Sequence, residues 1–185
     1  DLRVKGLDGG PARPMVACDS LRSFVREAVG DPDRDFFLRL SSFSLGTGDR
    51  AENLRDMRRR FQRELPWLDD EVLRLHSKQD FKDNLARAIC CALPMFDLVV
   101  VDEAHNLKHG FKKHVAARNR ALAHMFGRPD VAIDRKRFPA YGPRAQRLLL
   151  LSATPIEDDY IHLWNQLDVF GRAKAFPLLG SRDAT

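Results

Sequence analysis

Cysteine is scarce: the chain has only Cys18, Cys90 and Cys91, an odd number with one adjacent pair and no Cys-x-x-Cys. That excludes a disulfide-stapled scaffold and a cysteine-built zinc site, and it fits a reducing compartment, cytoplasmic or, in a eukaryote, nuclear. His76, His109, His114, His124 and His162 stand at no metal-ligand spacing with cysteines or carboxylates, so a zinc centre is not expected. No run approaches the ~20 apolar residues of a membrane-spanning helix. The densest apolar segments, around Leu98–Val101 and Leu148–Leu151, are strand-sized. The opening DLRVKGLDGG lacks the apolar stretch of a signal peptide, and a first residue other than Met is expected of a fragment or a processed chain. Gly and Pro together make up 21 of 185 residues, too few for a collagen-like or low-complexity polymer.

What remains is the composition of a chain with a core. Apolar residues are 44% of a 185-residue sequence, room for one α/β domain or a large part of one. The net charge of +5 permits an anionic partner without requiring it.

Residues 1–13 are Gly/Pro-rich and read as an irregular edge. Pro14–Cys18 is a short buried strand; Asp19 or Ser20 caps a helix over Leu21–Val29, with Leu21, Phe24, Val25 and Ala28 on one face. Gly30, Asp31 and Pro32 stop it. Phe36–Leu40 is a second strand. A basic amphipathic helix is expected from Ala51 to Leu65, ended by Pro66. Its arginines, Arg55, Arg58, Arg59, Arg60 and Arg63, form either a solvated face or a phosphate contact. Ser77, with Asp80 in the acidic position of a capping box, opens a helix to Leu93 that buries Phe81, Leu85, Ala88, Ile89 and Ala92.

Pro94 then turns the chain into Met95–Val101, whose Val-rich end predicts a central parallel strand buried on both faces. A helix over Phe111–Phe126 follows, then a Pro/Gly/Arg-rich connector to Arg147 and a second buried strand, Arg147–Leu151. The last helix runs from Ile156 to Val169, with Ile161, Leu163, Trp164 and Leu167 as its core face, and residues 171–185 form a loose tail. Alternating strands and helices predict an α/β fold with a mostly parallel sheet and helices on both faces.

Ligands of parallel sheets bind beyond the C-terminal ends of the strands. Two polar clusters fall there: Asp102-Glu-Ala-His105 after FDLVVV, and Ser152-Ala-Thr-Pro155 after RLLLL. An apolar strand that delivers an Asp and then a Glu suits nucleotide hydrolysis. The first carboxylate can hold a hydrated divalent cation and the second can orient or deprotonate water.

The sequence VVVDEAH followed by LLLSATPI resembles motifs II and III of the superfamily 2 helicases. His105-Asn-Leu-Lys108, and Pro155-Ile156 followed by Leu163-Trp164 and Leu167 to Phe170, resemble the chromatin-remodeller-type (Swi/Snf-like) translocases; His109 and Asp159 depart from that pattern. The likeness covers residues 96–170. It implies that residues 14–170 are an incomplete first RecA-like ATPase lobe of a P-loop NTPase fold. Asp102 would then hold Mg²⁺ through water and Glu103 would be the catalytic base. His105, Ser152 and Thr154 would couple the nucleotide site to movement along nucleic acid. ATP and Mg²⁺ are the implied cofactors, and nucleic acid, duplex DNA above all, the implied partner.

The connector cations Arg135, Lys136, Arg137 and Arg144, interleaved with Phe138 and Tyr141, suit either nucleic-acid contact or an ordinary surface loop. No lysine follows a glycine and Gly46-Thr-Gly48 leads into Asp49, so the phosphate-cradling loop is missing from this sequence, as are the arginine motifs of a second lobe. An ATP-dependent helicase or translocase would therefore be the parent enzyme, with this part of it inactive alone. In the proteins it resembles, the SAT strand lies between the DEAH strand and the P-loop strand. Leu148–Leu151 is then expected at an adhesive edge, open to self-association. The competing expectation is a non-catalytic RecA-like scaffold. A nucleotide-binding protein of another type would leave SATPI and its helix unexplained.

Overall fold

The computed structural model describes residues 3–4, 13–44, 56, 58–59, 62–63, 78–111, 116–129, 131–156 and 159–173. Much of the basic segment at 51–65, Ser77 of the expected capping box, and residues 174–185 of the expected tail lie outside them, as does most of the stretch before residue 13. Among the described residues no helix is long and apolar enough to cross a membrane.

The chain is mixed α/β. Strand β1 (Arg3–Val4) pairs antiparallel with β2 (Arg13–Cys18), and β2 pairs parallel with β3 (Asp35–Leu38). Between β2 and β3 lies α1 (Leu21–Gly30), started by a reciprocal Ser20–Ser23 capping box. Its buried residues, Leu21, Phe24, Val25 and Ala28, have the spacing of one helical face. A 3₁₀ turn (Leu40–Ser44) follows β3, and α2 (Lys78–Ala92) sinks Phe81, Leu85, Ala88 and Ile89 into the core. Next come β4 (Phe96–Val101), a 3₁₀ turn (Ala104–Leu107), α3 (Ala117–Met125), β5 (Ala145–Leu150) and α4 (Tyr160–Asp168).

Strands β4 and β5 are parallel, with Val99 opposite Leu148, Val100 opposite Leu149 and Val101 opposite Leu150. Phe96 joins the two sheets: its ring stacks on Phe24 of α1 at 6.1 Å and meets Phe36 of β3 edge-on at 6.4 Å.

Two expectations about the sheet need correction. In place of one mostly parallel sheet, the described strands form a three-stranded and a two-stranded sheet. Among the described residues no helix covers the outer face of the β4–β5 pair either. Val99, Val101, Leu148 and Leu150 point inward, whereas Leu98 and Val100 are 51% and 49% exposed and Leu149 and Leu151 are 44% and 43% exposed. An all-apolar run signals burial on both sides only where something lies on both sides.

The connector is also more ordered than its composition suggests. Gly127, at φ 70°, packs so tightly on Gly142 that a Cβ would sit 1.7 Å from the Gly142 carbonyl oxygen. Phe138 and Tyr141 are buried, and Tyr141 Oη donates to the Arg128 carbonyl at 3.3 Å. The expected helix over Phe111–Phe126 is shorter, Ala117–Met125, with residues 112–115 outside the described set.

Where α2, α3 and the connector meet, the core holds a polar cluster. Asp83 pairs with Arg120, and the fully buried His124 lies with Nε2 3.7 Å from Asp83 Oδ2 and Nδ1 3.4 Å from Tyr141 Oη. Burial alone would raise the Asp83 carboxyl. The neighbouring His124 ring and Arg120 guanidinium outweigh that and hold it well below the ordinary carboxylate range. For His124 burial wins, aided by Arg87 and Arg120, and pushes the imidazole below its ordinary value of 6.5 despite Asp83.

The consequence for stability has a definite sign. Above pH 6.5 His124 is neutral in both states and its contribution is intact. As pH falls below that, the unfolded chain takes up a proton that the folded chain refuses, so stability drops by up to about 1.4 kcal/mol per pH unit. Thermal melts between pH 7.5 and 5 are expected to show this loss, and His124→Gln to flatten it. A melting temperature independent of pH over that range in the unmodified chain would contradict a buried neutral His124. The Asp83 contribution acts in the same direction but only near and below its ordinary value of 3.8.

Candidate functional site

Because β4 and β5 are parallel, the segments that follow them leave from the same sheet edge. The Leu151 amide donates to the Val101 carbonyl at 2.9 Å, and the Ala104 amide donates to the Leu151 carbonyl at 2.8 Å. These two bonds hold Asp102-Glu103 beside Ser152.

Glu103 is the only non-glycine residue with positive φ among the described residues, at φ 52°, ψ 47°. A left-handed glutamate costs on the order of 1 kcal/mol, and such strain gathers at functional sites. The reversal breaks the strand and starts the 3₁₀ turn that carries His105. Asp102 Oδ1 accepts from the Glu103 amide at 2.9 Å, and Asn106 Nδ2 donates to the Glu103 carbonyl at 3.0 Å. The two carboxylates are adjacent in sequence and have different partners, the Glu103 amide for Asp102 and the His105 ring for Glu103, and both are exposed.

His105 Nδ1 lies 3.2 Å from Glu103 Oε2 and 3.5 Å from Ser152 Oγ, so one half-buried imidazole touches both clusters. Chemically, the group offers an exposed carboxylate for a hydrated cation, a second carboxylate able to accept a proton from water, and an imidazole joining that second carboxylate to the neighbouring loop. Among the described residues no three His, Cys, Asp or Glu side chains form a metal cage. A single exposed carboxylate such as Asp102 suits a hydrated divalent cation held through water rather than a direct cage. The cavity lined by Phe126, Pro143, Leu148 and Phe170 is mainly apolar and shares no residue with this edge.

Thr154 is exposed in the loop after β5. The connector cations lie elsewhere. Arg144 donates through Nε to the Cys90 carbonyl at 2.6 Å and also binds the Ala140 carbonyl, while Arg135 donates to the Tyr141 carbonyl. Arg135 ties the connector to itself, and Arg144 ties it both to itself and to α2. The Lys136 amide donates to Asp134 Oδ1 at 2.9 Å, and Arg137 Nε lies 3.6 Å from the same carboxylate. The rings expected to stack on bases, Phe138 and Tyr141, are in the core and present no face for stacking.

Sequence pattern also missed two residues. Asn165 and Gln166 of α4 are buried, while Ile161, assigned to the helix core, is exposed and Leu163, Trp164 and Leu167 are only half-buried. An apolar-periodicity rule cannot select an Asn-Gln pair for burial, and only the carbonyls waiting for them explain it. Asn165 Nδ2 donates to the Lys108 carbonyl at 2.8 Å, and Gln166 Nε2 donates to the Pro155 carbonyl at 2.7 Å. Comparison with protein-family models, curated proteins and solved structures finds no match to this chain.

Proposed function

We propose that this chain carries the cation-holding and water-activating part of an ATP-driven nucleic-acid translocase or helicase. Its fold would be an incomplete first RecA-like lobe over residues 14–170. The observation that carries the proposal is the His105 bridge: one imidazole in contact with Glu103, at the end of one parallel strand, and with Ser152, at the end of the next. The motif resemblance gives the chemistry and the strand-end geometry supports it.

In this proposal Asp102 holds Mg²⁺ through water, and the ion would neutralise charge on the ATP phosphates when bound. Glu103 orients the attacking water and takes its proton. Its exposed carboxylate is held to one side by the left-handed backbone and by His105. His105 and Ser152, with Thr154 beyond, carry any displacement of one strand-end loop to the other. The phosphate-cradling loop and the opposing lobe come from other sequence. The partner is nucleic acid, duplex DNA first, and the place of action is the cytoplasm or the nucleus. Among the connector cations, Lys136 and Arg137 remain the candidates for phosphate contact.

The absence of any Gly-Lys pair from the sequence favours one other reading, a non-catalytic scaffold of the same fold. Nucleic-acid-stimulated ATP hydrolysis by a natural protein that contains this sequence together with a phosphate loop, and its loss in Glu103→Gln, separates the two.

A further inference from the structure

We infer that Asn165 and Gln166 are positioning residues that set the spacing of the two strand-end loops, making α4 the lever through which one loop feels the other. This rests on the proposal that those loops form one responsive site. The two amides are neighbours on one helix and are 7% and 2% exposed. Each reaches a different loop. Asn165 donates to Lys108, the residue that closes the 3₁₀ turn through its own amide bond to the His105 carbonyl at 3.1 Å. Gln166 donates to Pro155, the end of the Ser152–Pro155 loop.

The chain also makes room for the first contact. Gly110, at φ 62°, lies so close to Asn165 that a Cβ there would be 3.2 Å from Asn165 Oδ1. The Gly110 carbonyl is held from the other side by Asn119 Nδ2 at 3.3 Å. A buried amide left without its acceptor loses solvation that nothing restores, so neither loop can move away from α4 without cost. Because adjacent helical residues keep a fixed separation, the Lys108 and Pro155 carbonyls are held at a fixed separation too. The contacts between Glu103, His105 and Ser152 lie inside that frame. Loss of either amide bond would therefore release one loop from that frame and loosen the His105–Ser152 contact without touching either residue.

The test uses the 185-residue chain without nucleotide, so its outcome is independent of whether ATP is ever hydrolysed. Nuclear magnetic resonance follows the His105 ring and the Glu103, Ser152 and Thr154 amides in Asn165→Ala and in the near-isosteric Gln166→Met. Each variant is expected to shift the signals of both loops and to speed amide exchange there about tenfold, the equivalent of roughly one lost hydrogen bond. The signals of the Ser20–Ser23 capping box at the start of α1 should stay in place. Movement confined to Lys108 in one variant and Pro155 in the other, with the His105 ring signals unchanged, would reduce the pair to ordinary structural bonds and overturn the inference. Should neither variant fold, hydrogen exchange in the unmodified chain decides. Both loops opening together with α4 supports the lever, and loops opening independently of α4 overturn it.

Discussion

The 185-residue chain, purified alone, is expected to hydrolyse ATP no faster than the buffer, with or without duplex DNA. It has the carboxylate pair but no lysine-bearing phosphate loop and no opposing arginines. Phosphoryl transfer depends almost entirely on positioning and on neutralising charge in the transition state. An arginine supplied from across the site is alone worth ~10³–10⁵ in rate, and the carboxylates cannot replace it. A phosphate-release assay with Glu103→Gln beside the unmodified chain is the measurement. Clear turnover that disappears in Glu103→Gln would mean that the chain holds a phosphate site its motifs do not announce.

In solution, light scattering is expected to give a mass above the 21.1 kDa of a single chain. The outer face of the β4–β5 pair exposes Leu98, Val100, Leu149 and Leu151, and among the described residues β5 pairs only with β4. A second copy suits this edge by charge as well as by apolarity. The exposed Arg147 lies near the start of β5, and Asp102 and Glu103 lie beside its end. Antiparallel pairing of two β5 strands sets the basic start of each against the acidic end of the other. Across such a pair the leucines of one β5 lie beside those of the other, and each apolar cross-strand pair is worth roughly 0.2–1 kcal/mol. Leu149→Lys with Leu151→Lys replaces those pairs by like charges set side by side, a loss of about 2 kcal/mol or roughly thirtyfold in dissociation constant. The double variant should therefore run as a monomer. A monodisperse 21.1 kDa unmodified chain at tens of micromolar would contradict the second copy and leave the edge to a strand of a longer protein.

Local pattern located most elements. Leu21, Phe24, Val25 and Ala28, and Phe81, Leu85, Ala88 and Ile89, repeat at helical spacing and are buried on that spacing. Strands β2 to β5 fall within two residues of the expected bounds, because short apolar runs between turn-formers have few alternatives. What failed depended on partners distant in sequence. The Val-rich β4 suggests burial on both faces, yet Leu98 and Val100 on its outer face are half-exposed. Phe138 and Tyr141 among cations left both base stacking and an ordinary surface loop open, and the structure turns the rings inward while Arg135 and Arg144 bind backbone carbonyls. The burial of Asn165 and Gln166 had no signal in the local pattern, because their acceptors, Lys108 and Pro155, are remote along the chain. At the site itself, residue types and order were legible. The left-handed backbone of Glu103 was not, since no glycine or asparagine marks it.

The most direct measurement is single-turnover ATP hydrolysis by a natural protein containing this sequence with a phosphate loop, compared with its Glu103→Gln variant. The proposed water-activating role of Glu103 predicts a fall of ~10²–10⁴-fold in the hydrolytic step. ATP binding should stay within a few-fold, because the side chain keeps its shape and Asp102 keeps the cation. Hydrolysis unchanged by Glu103→Gln, or no hydrolysis in the unmodified protein with nucleic acid present, would contradict the account.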